Sequence, residues 1–247
     1  MLRALLICLL AALPAAAEEV VAGLSQSRIS IATDFDGSEI LIFGAVKREA
    51  GIPDEPLGVI ITVEGPSEPL AVRRKDKRYG IWVNTDAQQF AAAPSFYAVN
   101  TSGAWEDMIQ GTQDLRHRIS INRAIEREDA RVGALGFTRA LIRIREKEGL
   151  YQTNIDAVEV SEDTLFSTSV RLPANLTEGD YRARFFLTRG GIVVDSHETA
   201  IAVQKVGLER FLFRLAHDQP LIYGLMSLAI AIFAGWAASA IFRFIRV

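Results

Sequence analysis

The sequence predicts a mainly β protein: an immunoglobulin-like β-sandwich with a helical insertion, followed by one C-terminal transmembrane helix. Three observations predict it. Short strand-patterned segments bounded by Gly, Pro and Asp recur before residue 100 and again after residue 158. A stretch with helical periodicity lies between them. Pro220 to Phe242 then runs without one charged residue.

The first residues read as a secretory signal. Arg3 gives the positive start, Ala4 to Leu13 the apolar run, and Pro14 with Ala15-Ala16-Ala17 a small-residue cleavage site before Glu18. Residues 1–17 are therefore expected to be a signal peptide. Cys8 is the only cysteine and lies inside it. The mature chain is then expected to have no disulfide, thiolate metal site or cysteine nucleophile.

Residues 18–205 are read as the exported domain. Arg28 to Ala32 alternates, Asp36-Gly37 is a common hairpin dipeptide, and Ile40 to Val46 resumes the strand pattern. Leu57 to Val63 is a further strand; Leu70 to Arg73, Tyr79 to Val83 and Ser95 to Val99 are shorter ones. The basic run Arg73 to Arg78 reads as a solvated hairpin loop, with anionic lipid or a partner as other readings.

The segment at 102–151 is the expected insertion. Ala104 to Gly111 starts a short helix with Ser102 as its N-cap. Glu128 to Glu148 is a stronger helix, with Ala134, Phe137, Leu141 and Ile144 on one apolar face. Acidic residues near its start, basic ones near its end and Gly149 beyond suit the helix dipole and a C-terminal stop.

Leu165 to Leu172, Tyr181 to Thr188 and Ile192 to Val203 read as three more strands, the last two joined at Gly190-Gly191. Gly179 and Tyr181 have the spacing of a tyrosine corner, in which the hydroxyl bonds backbone while the ring packs inside. Two small domains are the alternative division of this region.

Residues 206–218 form an expected amphipathic helix. Leu208, Phe211, Leu212 and Leu215 share one stripe, with Arg210 and Arg214 off it. It would lie at the membrane surface, continue into the span or pack back on the domain. The span is expected at 220–242, about 34 Å long against a hydrocarbon core of about 30 Å. Arg243 and Arg246 follow it, so a tail at 243–247 is placed in the cytosol and the domain in the periplasm of a bacterial inner membrane. Within the span, Ala231, Gly235 and Ser239 form a row of small residues beside Trp236, a candidate surface for helix pairing with a membrane protein or a second copy.

Charge and motifs exclude several functions. All 30 acidic residues but only 24 of the 27 basic ones fall in 18–219, an unfavourable balance for nucleic acid. His117, His197 and His217 are scattered without ligand spacing. Asp195-Ser196-His197-Glu198 holds triad residue types, but strand alternation sends neighbours to opposite faces. Asp34-x-Asp36-Gly37 lacks the rest of a calcium loop. No phosphate-binding or nucleophile-elbow motif occurs. The expectation is no catalytic residue, no metal and no cofactor.

Phe35-Asp36-Gly37, Tyr79-Gly80-Ile81-Trp82-Val83-Asn84, Pro94-Ser95-Phe96-Tyr97, Gly149-Leu150-Tyr151, Leu172-Pro173-Ala174-Asn175, Gly179-Asp180-Tyr181 and Tyr223-Gly224 through Gly235-Trp236 carry a resemblance. On these segments the chain resembles a transmembrane protein family of alphaproteobacteria. That family carries no assigned activity, so the resemblance transfers no catalytic residue. It implies a polytopic transporter as a partner. The leading expectation is thus a non-enzymatic, membrane-anchored periplasmic accessory or interaction protein, in contact with membrane lipid. The alternative is a binder of lipid or a small anion between sandwich and insertion.

Overall fold

The structure, a computed structural model, describes residues 18–31, 35–49, 51–128, 134–205 and 215–245, with side chains as far as Ser239. The expected signal peptide, and Leu208, Phe211 and Leu212 of the expected interfacial helix, lie outside these residues. Internal contacts divide the chain into two units, Met1–Ile29 with Phe35–Val203, and Ser30–Asp34 with Gln204–Val247.

In the first unit, β1 (Glu18–Leu24), β3 (Ser38–Arg48), β11 (Leu165–Leu172) and β10 (Glu159–Ser161) form a four-stranded sheet in the order β1-β3-β11-β10. A six-stranded sheet runs β2-β13-β12-β4-β7-β9, built from β2 (Arg28–Ile31), β13 (Ile192–Lys205), β12 (Gly179–Arg189), β4 (Gly58–Glu64), β7 (Tyr97–Thr101) and β9 (Tyr151–Asn154). Early and late strands thus share each sheet: β3 pairs with β11, and β4 with β12. β1–β3, β3–β11, β10–β11, β12–β13, β4–β12 and β4–β7 pair antiparallel, and β7–β9 pairs parallel.

The two sheets meet through apolar side chains. Phe166 on β11 lies 6.2 Å from Phe185 on β12, ring centre to ring centre. Ile40 and Ile42 on one sheet and Ile61, Val63 and Ala183 on the other are fully buried. A polar side chain bridging this layer is satisfied: Asn100 Nδ2 donates to Thr168 Oγ1 at 2.7 Å and to Ser169 O at 3.0 Å. Every residue of β4 is buried, so both of its faces are covered. This explains its unbroken run Val59-Ile60-Ile61, which does not alternate.

Short helices help cover the other face of the six-stranded sheet: α1 (Trp105–Met108), α2 (Gly111–His117) and α3 (Ile121–Ala124). Tyr97 Oη donates to Ile119 O at 2.8 Å, pinning this segment to β7. A third sheet holds the long hairpin β5 (Ser67–Arg78) and β6 (Ile81–Pro94), with β8 (Glu126–Arg127) beside β6. The helix α4 (Ala134–Lys147) follows.

Several expectations need correction. Asp36-Gly37 does not close a hairpin, because β2 and β3 belong to different sheets. Gly37 has φ 122°, and a Cβ there would come within 2.8 Å of Leu172 O. Arg73 to Arg78 is strand, paired with β6, and the two short strands expected near it are parts of one long ribbon. β1 and β9 went unread because neither has a clean alternation. Ser102 does not cap α1; its Oγ accepts Val59 N–H at 2.9 Å. The stronger helix begins at Ala134 among the described residues, after β8. Its buried positions are Ala134, Thr138 and Leu141, while Phe137 is half-buried and Ile144 exposed.

In the second unit, residues 215–218 are helical and α5 (Pro220–Ile245) follows. Over Pro220–Ser239 it is long and apolar enough to cross a membrane, and none of that stretch is buried among the described residues.

Candidate functional site

The outward face of β12 carries Arg182, Arg184 and Phe186, because Tyr181, Ala183 and Phe185 alternate toward the core. Register sets Glu64 on β4 opposite Arg182, and Tyr97 on β7 opposite Glu64. Arg182 Nη2 stands 3.1 Å and Arg184 Nη2 3.9 Å from Glu64 Oε2. Arg184 donates to Tyr97 Oη at 3.0 Å, His117 O at 2.9 Å and Arg118 O at 3.1 Å. Its guanidinium also lies 5.3 Å from the centre of the Phe186 ring. Arg118 pairs with Glu126 across the opening.

These residues enclose a cavity of about 360 Å³ between the sheet and the helical segment, lined by Glu64, Arg118, Glu126, Arg182 and Arg184. Arg184 also borders a second hollow of about 220 Å³, with His117, His197 and Glu198. The charges mostly compensate. The Arg184 Nε–H, however, is buried and finds no acceptor among the described residues. Burial pushes the Tyr97 hydroxyl up to about 12, so it stays a neutral donor at ordinary pH. Burial, with the Arg116 and Arg184 cations, holds His117 below its usual value. The lining guanidiniums of Arg182 and Arg184 have the chemistry to donate to an anionic group.

A cleft of about 360 Å³ lies between β5 and α4. Val72, Phe137, Ala140 and Ile144 give it an apolar lining, with Arg73, Arg74 and Arg143 alongside. The basic half of the sequence-predicted helix therefore does border a hollow, but against the hairpin.

The remaining candidates separate. Tyr181 Oη donates to Thr177 O at 2.8 Å, and Gly179 has φ 149° where the chain turns into β12. Ala231, Gly235 and Ser239 are exposed along α5, and a Cβ on Gly235 would meet nothing within 4 Å among the described residues. Trp236 is exposed beside them, 6.2 Å from the Phe233 ring. Leu215 is half-buried. Asp195 accepts Val20 N–H at 2.8 Å, a structural role, while Ser196 and His197 point to opposite faces of β13. Among the described residues, no group of three His, Cys, Asp or Glu could hold a metal ion.

Sequence reasoning missed the Glu64–Arg184–Tyr97 group. Its members lie on three strands far apart in the chain and share no motif. It also missed the hairpin tip, where Tyr79, Ile81 and Trp82 are exposed. The Tyr79-Gly80 pair was the available signal for that turn.

A family model described as "Putative transmembrane protein (Alph_Pro_TM)" matches residues 19–244. A search of curated proteins returned no match.

Proposed function

This chain belongs to that transmembrane protein family, and on that premise we propose that it is a non-enzymatic accessory or interaction protein whose apolar helix docks a membrane partner. One observation carries the reading. α5 presents the Ala231, Gly235 and Ser239 row, and none of Pro220–Ser239 is buried among the described residues. Small side chains let a second helix approach closely, which is how packing stabilises helix pairs in lipid. The partner is a polytopic transporter or a second copy of this chain.

The β unit is the recognition module in this reading, of immunoglobulin-like type. Its strand order β1-β3-β11-β10 opposite β2-β13-β12-β4-β7 supports that assignment, as does the Tyr181 to Thr177 hydrogen bond. The module is periplasmic and the helix sits in the inner membrane. The supports are the signal-like residues 1–17, and Arg243 and Arg246 after the apolar stretch. Crosslinking in intact membranes, followed by mass spectrometry, tests the proposal. A membrane protein or a second copy should be recovered through sites near Gly235. Monomer alone, from every attachment point, would sink it.

A second reading is a binder of a small anion or lipid headgroup between sheet and helical segment. The cavity beside Arg182 and Arg184 favours it, since the buried Nε of Arg184 lacks an acceptor among the described residues. Native mass spectrometry of the full chain against inorganic phosphate, carboxylates and phospholipids tests it. A blank across that panel refutes it.

A further inference from the structure

We propose that the tip of the β5–β6 hairpin inserts end-on into the surface of an anionic lipid bilayer. This contact is separate from the helix-docking reading, since it needs no protein partner.

The ribbon is long and bare. β8 flanks β6 only around Phe90 and Ala92, so nearer the tip no third strand supports it among the described residues. From Arg73 to Arg78 every residue of β5 is exposed. A two-stranded ribbon gains little stability by itself in water. Its apolar tip therefore adds nothing to a core within this chain.

The tip has the composition of a membrane wedge. Tyr79 is fully exposed, Ile81 is 65% exposed and Trp82 68%. Cross-strand partners share a face, so Arg78 with Ile81 takes one face and Lys77 with Trp82 the other. Each face thus offers an apolar group with a cation beside it, and Tyr79 sits at the apex. An amphipathic surface that lies flat would put its apolar groups on one side only. This one has them all round the end, which fits insertion point-first. Aromatic rings favour the headgroup level, and long basic side chains reach back to phosphates.

Charge selects the lipid. Between residues 73 and 86 stand five basic side chains against two acidic ones, in a chain whose formal net charge is −3. Basic clusters beside inserted apolar groups bind anionic headgroups, and each signal reinforces the other. The backbone adds an independent mark. Tyr79 has φ 50° and Gly80 φ 86°, joining Arg78 to Ile81 in a two-residue turn of the primed kind. Asn, Asp or Gly is favoured where Tyr79 stands. A bulky ring held at positive φ in full solvent is strained, with no compensating burial among the described residues.

The test uses the full chain in lipid nanodiscs, with Trp82 as its own reporter. Trp105→Phe and Trp236→Phe leave Trp82 as the only tryptophan; Trp82→Phe and Trp236→Phe leave Trp105. In discs containing phosphatidylglycerol, Trp82 emission should shift to the blue and be quenched by brominated lipid. Trp105 emission should not be quenched. The Trp82 signal should be lost in phosphatidylcholine discs, in high salt and after Lys75→Glu, Lys77→Glu and Arg78→Glu. These three exposed positions leave the folded sheets untouched, which circular dichroism verifies. Water-exposed Trp82 emission in both lipids would overturn the proposal. So would equal quenching in neutral discs, or equal quenching of Trp105. A shift seen only in native membranes would assign the tip to an acidic protein instead and overturn the lipid assignment.

Discussion

Arg189 grips Glu18 with two parallel hydrogen bonds, Nε to Oε2 and Nη2 to Oε1, each 2.7 Å long. Arg48 Nε adds a third to the same carboxylate at 2.6 Å. The three side chains are only 6 to 9% exposed. Glu18 opens β1, and it is the residue that the expected cleavage would leave first. One carboxylate thereby ties the first strand to β3 and to the end of β12.

Glu18→Gln should therefore destabilise the β unit by about 3 kcal/mol, because two buried guanidiniums lose their counter-charge. Urea denaturation of the full chain in detergent measures it. The hydrogen bond from Arg189, followed by that from Arg48 and both positive charges, holds Glu18 below its ordinary value of 4.5. A depressed carboxyl contributes stability that is complete above the unfolded value. That contribution is lost as pH falls below 4.5 and through the lower folded value. The acid side of the stability profile should flatten in Glu18→Gln.

Alkali should weaken the same unit through its buried tyrosines. Burial pushes both Tyr97 and Tyr181 up to about 12. A hydroxyl whose folded value is raised contributes stability that is present below its unfolded value near 10 and lost as pH rises through the folded one. Stability measured from pH 9 upward should fall less steeply in Tyr97→Phe than in the parent.

Tyr181→Phe removes the hydroxyl that donates to Thr177 O while keeping the ring in the core. A cost of about 1 kcal/mol is expected, the net worth of a typical internal hydrogen bond. An unchanged denaturation midpoint would show that water or another donor replaces it.

Gly235→Leu fills the small-residue row on α5 where a Cβ meets nothing within 4 Å among the described residues. It should leave the unfolding midpoint of the β unit unchanged and reduce recovery of crosslinked partner several-fold, in line with the close approach that Gly permits. Recovery unchanged from the parent would place the pairing face elsewhere.

Several parts of this fold were legible in the residues. Gly190-Gly191 announced the β12–β13 hairpin, since positive φ at both positions suits a primed turn. Leu165 to Leu172 alternates cleanly and is a strand over those same residues. The apolar stretch from Pro220 needed only counting, because backbone satisfaction in lipid demands a continuous helix. Other parts misled. Arg73 to Arg78 looked like a loop because its charges face water on both sides, yet backbone pairing with β6 holds it as strand. Phe137 and Ile144 matched the helical stripe, but Thr138 is buried in their place, its hydroxyl donating to Ala134 O at 3.1 Å.

The sequence alone determined the features that depend on local order. These are the mainly β composition, the turn glycines, the length of the apolar helix and the family. It also showed the basic run at 73–78, but as a loop where the structure has strand. The tertiary structure decided which side chains converge. Glu18 meets Arg189 across 171 positions, and Arg184 meets Tyr97 across 87. Such meetings follow from strand order and register, and those are set by how two sheets bury their apolar faces together. No short window of residues contains that information.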